Sequence, residues 1–217
     1  AHSGPREHCE LDFFGGEPLM NWHVVQQTID YVHKQEKKHG KKIKMSLTTN
    51  GLLLDKEKVK YLTDNHISLI LSLDGRKEMH DRMRPGVHGE GTYDEIVKNL
   101  QYCVANRKGE EYYVRGTFTR YNMDFTTDVI DMIDKGFPAV SMEPVVGEDT
   151  ADYSIKEEDL PRVKAEYDRL AKLFIAREEE GRPFFFFHFN MDLWKGPCLP
   201  KRLRGCCLLY TSDAADD

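Results

Sequence analysis

The chain has no long apolar run. Its longest strongly apolar stretch, residues 184–187, falls far short of the roughly 20 residues that a membrane-spanning helix requires. No charged region leading into an apolar stretch opens the sequence, so no signal peptide is read. Positive charge is not in excess: 31 Lys and Arg stand against 37 Asp and Glu, for a net charge of −6 and a pI near 5.9. That balance argues against a nucleic-acid or anionic-membrane binder, although a local basic patch could still exist. Cysteine is sparse at 5 residues, and an odd number in a chain of 217 does not make a disulfide scaffold. A cytoplasmic protein is the expectation. What is present is ordinary globular usage, 40% hydrophobic and 31% charged, which excludes a disordered, collagenous or coiled-coil chain. A chain of this length can bury roughly 70% of its unfolded surface, enough for one substantial core.

Strand and helix patterns alternate along the chain. Strands are expected over residues 9–14, 43–48, 67–73, 112–119 and 139–145. Residues 67–73 are nearly continuously apolar, as in a parallel strand covered on both faces. Between them the 3.6-residue period predicts helices. Asn21 is expected to cap the first, with Trp22, Val25, Ile29 and Val32 inward, and others follow over 55–65 and 124–135. Thr92 with Glu95 reads as the capping box of a helix bearing Ile96, Leu100 and Cys103, and Ser154 with Glu157 as the cap of a long acidic helix. Residues 74–91 read as a long charged loop, and beyond Gly181 the rhythm stops. Strands separated by helices predict an α/β fold with a largely parallel sheet. No GxGxxG follows the first strand and no Walker motif occurs, so a nucleotide-binding doubly wound sheet loses its usual support. Polar residues gather where strands hand over to loops, which favours a barrel or partial barrel.

Those handovers hold the candidate site. In Phe13-Phe14-Gly15-Gly16-Glu17-Pro18-Leu19 two glycines can bring backbone N–H groups to a ligand, and Glu17 can meet a ligand ammonium. The same residues could equally make a plain glycine turn with a surface carboxylate. Asn50 in Thr48-Thr49-Asn50-Gly51 could position a ligand or merely close an Asn-Gly turn. Ser72 and Asp74 lie at the next strand end. Period 2 sets Arg115, Thr117 and Thr119 on one strand face, opposite Val114 and Phe118; such a stripe faces a cavity or a satisfied internal salt bridge. Asp81, Arg82 and Arg84 lie in the loop at the same mouth, as ligand contacts, as partners around the site or as solvated charge. Val145 follows Glu143-Pro144 and could be plain core.

Together these motifs resemble the radical S-adenosylmethionine (SAM) enzymes that carry a C-terminal SPASM domain. More narrowly they resemble the SCIFF peptide maturases, which join cysteine sulfur to a peptide α-carbon. The resemblance rests on the Gly-Gly-Glu run, Leu47-Thr48-Thr49-Asn50-Gly51, Leu71-Ser72-Leu73-Asp74-Gly75, His80-Asp81-Arg82-Met83-Arg84-Pro85 and the segment 113–120. It implies a parallel (β/α)6 barrel lacking its first strand, followed by the start of a SPASM region. The implied boundaries are 1–150 for the partial barrel, 151–197 for a helical connector and 198–206 for the SPASM start. Residues 207–217 resemble a translated adapter tail, with a natural frayed terminus as the alternative, and the chain reads as an internal piece. Residue by residue, Gly15, Gly16 and Glu17 would hold the SAM amino group, Ser72 with Asp74 would lie near the ribose, Arg115 would pair with the carboxylate and Val145 would approach adenine. Asn50 completes the cofactor set.

Cys198 and Cys206 match ligands of an auxiliary [4Fe–4S] cluster. The CxxxCxxC that holds the catalytic [4Fe–4S] cluster in this superfamily does not occur in the chain. Cys9 reads as a buried or boundary thiol and Cys103 as core. The implied activity is thioether formation in a ribosomally made peptide through a 5′-deoxyadenosyl radical. Its partners would be a cysteine-rich precursor peptide and a reductant such as flavodoxin or ferredoxin, with no nucleic acid and no membrane. The chain alone is expected to be inactive. The alternatives are an anaerobic sulfatase-maturating or other SPASM peptide-modifying enzyme, and a cluster-free peptide-binding module. The absence of HxxEH, a DxD-type metal set or a nucleophile elbow makes an α/β hydrolase a poor fit.

Overall fold

The structure is a computed structural model, and it describes residues 4–190 except Lys108, Glu110 and Asp149. These fall in one compact unit, Ala1–Phe187, apart from His188, Phe189 and Asn190, which belong to a second. Strands β1 (His8–Phe13), β2 (Lys42–Thr49), β3 (Ser68–Ser72), β4 (Tyr112–Phe118), β5 (Ala139–Pro144) and β6 (Phe185–Phe186) form one sheet. Helices α1 (Trp22–His39), α2 (Lys56–Asp64), α3 (Lys77–Met83), α4 (Tyr93–Asn106), α5 (Phe125–Asp134) and α6 (Leu160–Glu179) alternate with them. Every strand pair is parallel, and the strands lie in sequence order. A doubly wound sheet reverses its order at a switch point. This sheet does not, and its sequential winding is consistent with a (β/α)6 barrel.

One face of the sheet is apolar. Met45, Leu47, Leu69, Leu71, Val114, Phe118, Val140 and Met142 are buried, as are Val25, Ile29 and Val32 of α1 and Val129 and Met132 of α5. Phe118 stacks on Phe125 with ring centroids 4.3 Å apart, and Tyr167 of α6 meets both rings edge-on, so aromatic packing ties α5 and α6 to β4. The alternate positions carry Lys44, Ser46, Thr48, Ser72, Arg115, Thr117 and Glu143. The register sets Ser72 beside Arg115 and Thr117 beside Glu143. Gly116 sits between these polar positions because nothing larger fits. A Cβ there would lie 2.7 Å from the Leu73 carbonyl oxygen and 2.9 Å from the Met142 side chain.

The structure corrects several local expectations. Two elements fall in stretches read as irregular: β6, only two residues long, and α3, inside the charged loop. Asn21 makes no side-chain cap, because a 3-10 turn over Pro18–Asn21, capped by Glu17, already leads into α1. Thr92 does not cap α4. Its hydroxyl donates to the Arg84 carbonyl oxygen, and Asp81 braces the helix start from outside by accepting the Thr92 and Tyr93 N–H groups at 2.8 and 2.9 Å. Ser154 donates to the Glu148 carbonyl oxygen, and α6 begins later, behind a 3-10 turn over Glu157–Asp159. No described helix is long and apolar enough to cross a membrane.

Candidate functional site

At the carboxyl ends of β1 to β4 the chain encloses a cavity of about 340 Å³. Gly15, Gly16, Glu17, Asn50, Ser72 and Arg115 line it, so residues up to 100 positions apart in sequence meet on one wall. Phe14, Thr48, Thr49, Arg84 and Thr117 complete the lining. The β1 exit depends on Gly15, whose φ of +124° is closed to other side chains. Glu17 then braces two strand ends. Its Oε1 accepts the Leu19 N–H at 3.0 Å and the Thr49 hydroxyl at 2.9 Å, and its Oε2 accepts the Asn50 N–H at 2.8 Å. A carboxylate offers about four acceptor sites, so these bonds leave room for a ligand ammonium. Asn50 spends its Oδ1 on its own turn, accepting the Leu52 N–H at 3.0 Å.

Arg115 is the exception in this bonded wall. It is half-buried on the polar sheet face, and among the described residues its guanidinium has no hydrogen-bond or ion-pair partner. Of the stripe expected with it, Thr117 shares the cavity. Thr119 does not, because it is buried and caps the turn Arg120–Asn122 by accepting the Tyr121 N–H.

Asp74 and Val145 are not among the lining residues. Asp74 is 3% exposed and sits behind the wall, where it accepts two bonds from Arg84 at 2.7 and 3.2 Å and the Thr117 N–H at 2.9 Å. Val145 is half-buried past the end of β5, its N–H donating to the Phe118 carbonyl oxygen. The three loop residues each find a partner: besides the Asp81 contact with the α4 start and the Arg84–Asp74 pair, the exposed Arg82 lies over the Tyr121 ring at 3.4 Å. Arg84 thus enters the wall through a partner ten residues away.

A second brace locks the β3 exit to α5. Arg76 donates to Asp128 at 2.7 Å and to both oxygens of Asp124 at 2.9 and 3.0 Å, and Asn122 donates to Asp128 at 2.9 Å. Burial pushes the Asp128 carboxyl up despite that guanidinium. At the more exposed Asp124 burial acts the same way, but the bonds from Arg76 prevail and lower it.

The set fits an α-amino acid head group: the Glu17 carboxylate as acceptor for the ammonium and, among the described residues, the unpartnered Arg115 fork as donor to the carboxylate. It does not fit a metal cluster. Among the described residues no group of three or more His, Cys, Asp or Glu side chains is placed to hold a metal ion. Cys9 is a half-buried free thiol on β1. Cys103 is a fully buried free thiol on α4, whose pKa burial pushes up to about 11. Cys198 and Cys206 lie outside the described residues.

A sequential parallel α/β sheet with its polar cavity at the strand carboxyl ends defines a barrel-type enzyme scaffold. The sequence pattern of the Radical SAM superfamily matches residues 10–130, more than half of the chain, and the chain belongs to that superfamily. It is 29% identical over 115 residues to a cysteine-type anaerobic sulfatase-maturating enzyme of Clostridium novyi (strain NT), covering 52% of this chain and 30% of that protein. It is 28% identical over 117 residues to the radical SAM cyclopropyl synthase TigE of Paramaledivibacter caminithermalis, covering 52% of this chain and 24% of that protein. The solved structure of native anSMEcpe with bound AdoMet and Kp18Cys peptide superposes with a TM-score of 0.76 at 22% identity, over 86% of this chain and 52% of that one, and shows a shared fold. The chain therefore spans about a third or less of these two relatives and about half of that solved chain.

Proposed function

We propose that this chain forms the SAM-binding part of a radical SAM enzyme that modifies a peptide, of the sulfatase-maturating and SPASM kind. The observation that carries the reading is Arg115, a half-buried guanidinium without a partner among the described residues, in the same cavity as the glycine-flanked Glu17. Methionyl ammonium at Glu17 and carboxylate at Arg115 satisfy both. Ser72, beside Arg115 in the register, offers a hydroxyl toward the ribose. Relatives support the substrate class: sulfatase-maturating enzymes recur among the matches, and the superposed anSMEcpe holds AdoMet together with a cysteine-containing peptide. Thioether formation of the SCIFF type is a narrower member of the same class, and the relatives favour the sulfatase-maturating alternative over it.

In the superfamily a [4Fe–4S] cluster supplies the electron that cleaves SAM. The sequence contains no CxxxCxxC, and among the described residues no three-thiolate site is present, so these residues are assigned binding and orientation only. Cys198 and Cys206 are proposed as auxiliary-cluster ligands, and the electron donor as flavodoxin or ferredoxin.

The test is calorimetric titration of the 217-residue chain with SAM, alongside Arg115→Lys. Lysine keeps the charge and loses the planar fork, which costs about 1.5–3 kcal/mol, or roughly ten- to hundred-fold in affinity. Equal SAM affinity in the two proteins refutes the assignment. After anaerobic reconstitution with iron and sulfide the chain should release no 5′-deoxyadenosine, and cluster-dependent release would show that it holds a catalytic cluster. Binding of a cysteine-containing peptide without any SAM binding would instead identify a peptide-binding module.

A further inference from the structure

The segment between β3 and α4 closes on itself through four side chains. The Asp74 N–H donates to His80 Nδ1 at 3.2 Å. A ring nitrogen that accepts carries no proton, so the neutral ring holds its proton on Nε2. That nitrogen lies 3.3 Å from Thr92 Oγ1, which must then accept. The Thr92 hydroxyl, left with its own proton to give, donates to the Arg84 carbonyl oxygen at 2.8 Å. Arg84 returns to the start, its Nε and Nη2 donating to the Asp74 carboxylate, which also takes the Thr117 N–H. Each assignment forces the next. His80 is 0% exposed, Asp74 3% and Thr92 6%, so water does not compete for these contacts. Only Arg84 reaches outward, its side chain 34% exposed at the cavity wall.

We propose that His80 is a positioning residue of the cavity: as a neutral imidazole protonated on Nε2 it orders the ring Asp74–His80–Thr92–Arg84 and so holds Arg84 and the Thr117 backbone beside Arg115. The consequence for ligand affinity rests on the SAM reading of the cavity. The ring itself does not. Protonation of His80 would place an Nδ1–H against the Asp74 N–H, donor against donor, and the ring could not close. Burial lowers the His80 pKa below its ordinary 6.5. Asp74 and Asp81 favour the charged form, Arg84 and Lys77 oppose it, and the Tyr93 ring packs edge-on at 5.6 Å. At neutral pH the neutral ring is therefore the resident form, and acid opens it.

The experiment combines nitrogen NMR of the His80 ring, hydrogen exchange of the Thr117 amide against pH, and SAM titration against pH, on the full chain and on His80→Asn. Asparagine sets an Oδ1 near the Nδ1 position, keeps the Asp74 contact and cannot take a proton. The parent should show the Nε2–H tautomer at neutral pH. Its Thr117 protection and SAM affinity should both fall about ten-fold or more as pH drops through the His80 pKa. His80→Asn should bind SAM about three- to ten-fold more weakly at pH 8, from the lost Thr92 contact, with the acid dependence gone. An Nδ1–H tautomer or a charged ring at neutral pH overturns the proposal, as does an unchanged acid dependence in His80→Asn. If neither protein binds SAM while the tautomer and the Thr117 exchange behave as stated, the ring stands and the SAM reading falls. Should His80→Asn fail to fold, the parent tautomer and its Thr117 exchange decide.

Discussion

Replacing Glu17 by Gln removes one charge and leaves the shape of the side chain, so it measures what the brace between β1 and β2 contributes. Two donors reach Oε1 and one reaches Oε2. A glutamine amide has one acceptor oxygen. If that oxygen takes the Oε1 place, the Leu19 and Thr49 contacts survive, and the NH₂ group faces the Asn50 N–H, donor against donor. The opposite orientation loses two contacts, so the first is adopted. The cost is one charge-assisted hydrogen bond, about 1.5–3 kcal/mol. Glu17 is only half-buried, so water relieves part of it and the lower end, about 1.5 kcal/mol, is the expectation. That predicts a roughly ten-fold loss of hydrogen-exchange protection at the Asn50 amide, with the Leu19 amide little changed. SAM affinity should fall further than this, because the ligand ammonium loses its counter-charge as well as its aligned partner. Urea unfolding checks that the fold persists. Equal Asn50 protection and equal SAM affinity in Glu17→Gln would refute both the bracing role and the ammonium site.

Gly116→Ala places a Cβ 2.7 Å from a backbone oxygen that cannot move without parting β3 from β4, so urea unfolding should show a loss of about 1–3 kcal/mol. Cys103 should resist iodoacetamide at pH 8 until the chain unfolds while Cys9 reacts, because burial shields the Cys103 thiol and holds its pKa near 11; equal labelling in the folded protein would contradict the packing of α4. Burial raises the Asp128 carboxyl, so the folded state binds its proton more tightly than the unfolded chain and stability drains away as pH rises above about 3.8. Asp128→Asn should flatten that part of the melting-temperature profile, and an unchanged slope would mean that Arg76 compensates the charge in full.

The residues that sequence pattern located are those whose roles are local. Gly15 and Gly16 mark a strand exit, and Arg115 falls on a polar parity of an otherwise apolar strand. Strand-end motifs in a sequential parallel sheet meet at one mouth by topology, which is why Glu17, Asn50, Ser72 and Arg115, far apart in sequence, line one cavity. What pattern misread are residues whose polar atoms find distant partners. Thr92 and Glu95 have the spacing of a capping box, yet the Thr92 hydroxyl is directed at the Arg84 carbonyl oxygen, and Asp81 takes the Thr92 and Tyr93 N–H groups at the helix start. Asp74 has the placement of a ligand contact, yet it is buried off the cavity lining, where its carboxylate takes bonds from Arg84 and the Thr117 N–H. Both reassignments trace to α3, seven residues hidden in a charged loop, which carries His80 and Asp81 and leads directly into Arg84. It buries a single polar residue, His80, and is held by hydrogen bonds and ion pairs rather than an apolar stripe, so hydrophobic periodicity had nothing to detect. A buried polar atom takes whichever partner the tertiary structure brings, and the accounting closes only across the whole loop. The same accounting separates the two arginines of the wall: Arg84 is paired with Asp74, while among the described residues Arg115 has no such partner, which is why the proposed carboxylate contact falls to Arg115.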